Sequence, residues 1–266
     1  MPARARYDSF MDQWPGLMLV DDAPALADAA ARMIADTAAD AVAARGRFTI
    51  VLSGGGTPRE TYMRLATPPF ADGIPWDRTL VFFGDERCVP PDHAESNYRM
   101  ANESLLSKVG IPPDRVYRMR GEADDPEAAA TEYARTLATV FQTPRGGLPR
   151  FDLVLLGLGL DGHAGSLFPG SPAAKEIFRT VVAVHAAAAR IPQRLTLTIP
   201  TINAAARVLF LVSGAEKAKV VKATLSGGAI LPASMIRPDD GALTWIVDRA
   251  AAALLSADRP PRAGRS

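Results

Sequence analysis

A chain of 266 residues with 48% hydrophobic and 22% charged residues can bury a sizeable core, which excludes a disordered or fibrous protein. Thirty Lys and Arg against 29 Asp and Glu leave a formal charge of +1, without the basic footprint of a general nucleic-acid binder or of a protein docked on an anionic membrane. The single cysteine, Cys88, excludes an intrachain disulfide and a multi-cysteine zinc site and fits a reducing compartment.

No apolar run approaches the ~20 residues of a spanning helix. Asp8, Asp12 and Gln13 interrupt the stretch where a secretory signal needs an apolar run, so a cytoplasmic location is expected. Residues 24–44 read as a helix with Leu26, Ala30, Met33, Ile34 and Thr37 on one face and Pro24 in the first turn. A β-branched strand at 48–52 ends abruptly in Ser53-Gly54-Gly55-Gly56-Thr57-Pro58, and a helix follows over 59–66. The strand at 79–83 stops at the polar segment 84–87, and Ser96 caps a helix running to Val109. Asp125-Pro126-Glu127 starts a helix in which Tyr133, Leu137, Val140 and Phe141 share a face, and Gly146-Gly147 ends it.

The run at 151–156 is almost wholly apolar, as a strand buried on both faces requires. Further strands are predicted at 181–184, 195–199, 208–212 and 243–247, with a helix over 215–225. Strands alternating with helices imply an α/β fold, a mainly parallel sheet with helices on both faces. One domain over 1–258 is expected, with the Pro/Arg-rich 259–266 as a loose tail. In such a sheet ligands gather at the carboxyl ends of the strands, where 53–58, 84–87 and 157–165 converge.

Ser53 to Thr57 joins a strand to a helix with glycines that let backbone N–H groups approach an anion. The Gly-Lys-Ser/Thr ending of a Walker A loop is missing, and a ligand-free tight turn is the alternative. Gly157 to Gly162 formally matches GxGxxG, but the acidic residue wanted about 20 positions on is absent after the strand at 181–184. In Asp161-Gly162-His163 a loop histidine can take a proton near neutral pH, and the carboxylate can hold its ring. His93 and His185 have no comparable context. Arg87 could stabilise an oxyanion, or Asp85, Glu86 and Arg87 could form an internal ion-pair network. Cys88 reads as packed rather than nucleophilic, and no metal-ligand pattern is visible.

Five stretches stand out in order: 52–58 (Leu-Ser-Gly-Gly-Gly-Thr-Pro), 83–90 (Phe-Gly-Asp-Glu-Arg-Cys-Val-Pro) with Ser96-Asn97-Tyr98, 157–163 (Gly-Leu-Gly-Leu-Asp-Gly-His) with 166–170 (Ser-Leu-Phe-Pro-Gly), 194–198 and 214–218. Together they resemble the 6-phosphogluconolactonase family. The likeness spans residues 17–255. It implies a Rossmann-like fold shared with glucosamine-6-phosphate deaminases and sugar-phosphate isomerases. It also implies hydrolysis of 6-phospho-D-glucono-1,5-lactone to 6-phospho-D-gluconate in the oxidative pentose phosphate pathway.

By motif match His163 becomes the general base that activates water, Asp161 orients it, and Arg87 lies near the lactone. Ser53, Gly54, Gly55, Gly56 and Thr57 would hold the phosphate with Arg194 and Lys217. The expected partner is the small-molecule sugar-phosphate lactone, without cofactor, metal, nucleic acid or membrane, on a monomer or weak homo-oligomer. Ala164-Gly165 departs from the family's frequent Thr-Ala. The alternatives are an amino-sugar phosphate deaminase or isomerase, which typically carries a further acid in an Asn-Glu-Pro-like segment where this chain has Ser166-Leu167-Phe168-Pro169, and a non-catalytic sugar-phosphate sensor.

Overall fold

The computed structural model describes residues 14–255 except 188 and 228; the expected tail at 259–266 lies outside them. The first half of the chain runs β1 (Leu17–Val20), α1 (Ala23–Arg45), β2 (Phe48–Leu52), α2 (Gly56–Leu65), β3 (Thr79–Phe83), β4 (Asp85–Arg87), α3 (Asn97–Ser104) and β5 (Val116–Tyr117). The second half runs α4 (Pro126–Phe141), β6 (Leu153–Leu156), β7 (Val181–His185), β8 (Gln193–Leu197), α5 (Ile199–Asn203), β9 (Arg207–Val212), α6 (Ala218–Ser226) and β10 (Ala242–Asp248).

Seven strands form a sheet in the order β1-β10-β9-β6-β2-β3-β5, every neighbouring pair parallel. All residues of β2 and β6 are buried, so the continuous apolar runs lie at the centre of the sheet. Alternation along the strands builds two cores. Val51, Phe82, Val154 and Phe210 face Tyr133 and Leu137 of α4 and Val220 of α6. Ile50, Leu52, Leu153, Leu155 and Leu209 face Leu26, Ile34 and Ala38 of α1 and Tyr62 of α2.

The remaining strands make a second, antiparallel sheet, β4-β8-β7. This corrects the sequence reading in two ways: 84–87 is not only a loop, and the strands at 181 and 195 stand outside the parallel sheet. The segment between β7 and β8 is too short for the dozen or more residues of a parallel crossover, so the two pair as a hairpin. Gly84 is the hinge between sheets, its N–H donating to Leu52 and its carbonyl accepting from Leu197. Two predicted helices are also shorter: the one after Ser96 ends at Ser104, and Ala215–Lys217 is a single 3-10 turn ahead of α6.

From β2 the chain steps outward to β3, whereas β6 pairs with the other side of β2. The order therefore reverses between β2 and β6, and the crevice beyond their carboxyl ends is the ligand position that doubly wound sheets share.

Candidate active site

A cleft of about 630 Å³ opens at that switch point. Ser53, Gly54, Gly55, Gly56, Thr57, Arg87, Asp161, His163, Arg194 and Lys217 all line it. Residues from both halves of the chain and from both sheets thus meet in one place.

The Gly-rich loop is anchored from below. The Tyr62 hydroxyl receives the Ser53 N–H at 2.8 Å and donates to the Ser53 carbonyl at 2.8 Å. The Ser53 N–H is therefore spent inside the fold. Arg59 N–H closes the first turn of α2 on the Gly55 carbonyl, so the N–H groups of Gly56 and Thr57 precede the helical ladder and are open to an anion.

The second loop follows β6. Gly159 and His163 close a tight turn, with the Gly159 N–H donating to the His163 carbonyl at 2.9 Å. A Cβ at Gly159 would stand 2.1 Å from His163 Nδ1, so the imidazole lies flat on bare backbone. The glycine of the apparent dinucleotide pattern seats a histidine ring. Phe168 packs on that ring with centroids 4.7 Å apart. Asp161 Oδ1 accepts from His163 Nδ1 at 2.6 Å and from the His163 N–H at 3.1 Å. Burial works against the Asp161 charge, but the His163 amide and ring outweigh it and hold the carboxyl below its usual value. With Asp161 ionised, Nδ1 carries the proton and Nε2 is left as the basic nitrogen.

The third side comes from the small sheet, where Arg87 and Arg194 are direct cross-strand partners. Like charges so placed repel unless an anion joins them. The Arg87 Nη1 donates to the Glu95 carbonyl, while its Nε is buried and has no hydrogen-bond partner among the described residues. The Arg194 Nε donates to the Ile191 carbonyl at 3.0 Å, and its guanidinium lies over Phe168 at 5.6 Å. Burial pulls the Arg194 pKa below its usual value, with Asp85 opposing and Arg87 adding to the fall. Lys217 is not a solvated helix lysine: its Nζ donates to the Leu158 carbonyl at 2.7 Å, which fixes the ammonium against the histidine loop.

No ion-pair network links Asp85, Glu86 and Arg87. Glu86, 3% exposed, instead receives the N–H groups of Arg87, Asn97 and Tyr98 and the Ser96 hydroxyl, capping α3. Burial raises its pKa and those donors oppose the rise. Asp85, Asn97, Ser213 and Glu216 also line the cleft, though the sequence reading gave none of them a ligand-facing role. Asp85 joins the three walls: Asn97 Nδ2 and the Ser166 hydroxyl donate to its carboxylate at 3.1 and 2.7 Å. Its sequence signals were its own place in the quoted 83–90 stretch and the Ser96-Asn97-Tyr98 that follows it. Cys88 is half-buried and burial pushes its thiol up to about 11, as a packed cysteine requires.

Residues 21–245 match the family model described as glucosamine-6-phosphate isomerases/6-phosphogluconolactonase. The chain belongs to this family. It is 42% identical over 247 residues to the 6-phosphogluconolactonase of Rattus norvegicus, covering 91% of this chain and 95% of the relative. A 6-phosphogluconolactonase from Trypanosoma cruzi superposes with a TM-score of 0.82 at 32% identity, covering 91% of this chain and 97% of that one. A monomeric glucosamine-6-phosphate deaminase also superposes, at TM-score 0.75 and 28% identity, covering 90% and 99%. The backbone is common to both activities, so the side chains must separate them.

Proposed function

We propose that this chain is a 6-phosphogluconolactonase that opens 6-phospho-D-glucono-1,5-lactone with a water activated by His163, within one catalytic domain over residues 1–258. The observation that carries the reading is the Asp161–His163 contact of 2.6 Å, which leaves Nε2 as a base in the cleft that Arg87 shares.

Water attacks C1 as Nε2 takes its proton, and the carbonyl electron pair moves onto oxygen. The Arg87 guanidinium, which lines the cleft, stabilises that oxyanion. On collapse the bond from C1 to the ring oxygen breaks, His163 returns the proton to the leaving oxygen, and the new acid ionises. A lactone is an activated ester, so positioned water, one base and oxyanion stabilisation suffice. The phosphate sits on the 53–57 loop between Arg194 and Lys217, where charge-assisted contacts are strongest. The enzyme works in the cytoplasm on a small-molecule substrate.

The deaminase reading is disfavoured by the segment after His163. Phe168 occupies it with an aromatic ring packed on the imidazole, and Ser166 is tied to Asp85. Turnover of freshly generated 6-phosphogluconolactone, compared with glucosamine 6-phosphate, decides between them. Acid release far above the spontaneous rate without ammonia is expected. Ammonia release without lactone turnover would install the deaminase, and inertness toward both would install a sensor.

A further inference from the structure

Behind the cleft wall stands a carboxylate that does not line it. Asp248 ends β10 and is 4% exposed. Val247 pairs with Val212, so Asp248 lies beside Ser213, where β9 has ended. Its Oδ2 accepts from the Ser213 hydroxyl and from the Gly214 N–H at 3.1 Å, and its Oδ1 accepts from the Ala251 N–H at 2.7 Å. The segment it grips carries a cleft residue. The Lys217 N–H closes a 3-10 turn on the Gly214 carbonyl at 3.0 Å, and the Lys217 ammonium reaches across to Leu158.

We propose that Asp248 is a positioning residue for the anion-binding end of the cleft, setting the turn 213–217 and through it the place of the Lys217 ammonium. The proposal rests on the reading above in which Lys217 takes the phosphate. Three donors on two segments converge on one side chain, so its removal frees the turn without touching substrate. If Asp248 served only to cap the 249–252 turn through Ala251, Lys217 would be indifferent to it. The Lys217 ammonium meets the histidine loop at the Leu158 carbonyl, but the His163 ring is held by Asp161 and Phe168, so a shift of the turn is read in substrate affinity rather than in the chemical step.

The test is a double-mutant cycle on the full chain with 6-phosphogluconolactone and unphosphorylated glucono-1,5-lactone. Asp248→Ala is expected to raise KM for the phosphorylated lactone about tenfold, with kcat within about twofold. Asp248→Asn, which retains one acceptor oxygen, falls between, and it carries the test if Asp248→Ala does not fold. Kinetics on the unphosphorylated lactone stay at the wild-type level. In a Lys217→Ala background the added Asp248 substitution changes KM by less than about twofold, because both act through one ammonium. Fully additive losses, or equal falls in kcat on both lactones, would overturn the proposal. If Lys217→Ala raises KM and neither Asp248 variant does, the proposal alone fails. If Lys217→Ala leaves KM unchanged, the phosphate assignment fails and takes the proposal with it.

Discussion

Asp161 sets the state of His163, and its own substitution separates orientation from basicity. Asp161→Asn should lower kcat roughly tenfold to a hundredfold, less than loss of the base itself, with KM nearly unchanged. A fall in affinity without a fall in kcat would place Asp161 on the substrate instead. Because the Asp161 carboxyl is held below its usual 3.8, its stabilising contacts are present above that value and are lost as pH falls through the lowered one. The thermal stability excess of wild type over Asp161→Asn should therefore persist from neutral pH to roughly pH 5 and vanish only in stronger acid. An excess that disappears between pH 7 and 6 would contradict this assignment. Lys217→Ala removes a charge-assisted contact of roughly 1.5–3 kcal/mol. At 1.36 kcal/mol per decade, kcat/KM for the phosphorylated lactone should drop about 10–100-fold, with little effect on gluconolactone. Equal losses on both lactones would move Lys217 to the reacting carbonyl.

Among the elements, α3 depends most visibly on one side chain. Glu86→Ala would leave the N–H groups of Asn97 and Tyr98 without their buried acceptor, at about 1–3 kcal/mol each. Since 1 kcal/mol moves Tm by about 2–4 °C in a chain of this size, a fall on the order of 4 °C or more is expected by calorimetry. An unchanged Tm would show that water replaces the carboxylate at no cost. The Ser96 cap was legible locally, because its oxygen serves an amide three residues on. Glu86 was not, because its role lies in amides ten and more residues away. The departure at Ala164-Gly165 also acquires a physical meaning. Gly165 has φ +57, so a family-like alanine there would enter the left-handed region at about 1–2 kcal/mol. This predicts that Gly165→Ala lowers Tm by a few degrees, ~2–8 °C.

Across the whole molecule, what was legible was what is local. Strand-to-loop punctuation at 52–58 and 156–163 identified both loops of the switch point, and the apolar run at 151–156 identified β6 as a strand buried on both faces. The second sheet escaped notice because β4 and β8 pair across more than a hundred residues, and no periodicity encodes such a partner. For the same reason the sequence named Arg87 and Arg194 separately without showing that they stand side by side. Asp248 shows the same limit, since its meaning lies in a strand-to-strand register. The central claim is that His163 is the base that activates water for lactone opening. Its most direct test is kcat of folded His163→Ala on saturating, freshly generated 6-phosphogluconolactone, corrected for spontaneous hydrolysis. A fall of about 10²–10⁴-fold with wild-type thermal stability is predicted; a kcat near wild type in a folded His163→Ala protein would contradict the account.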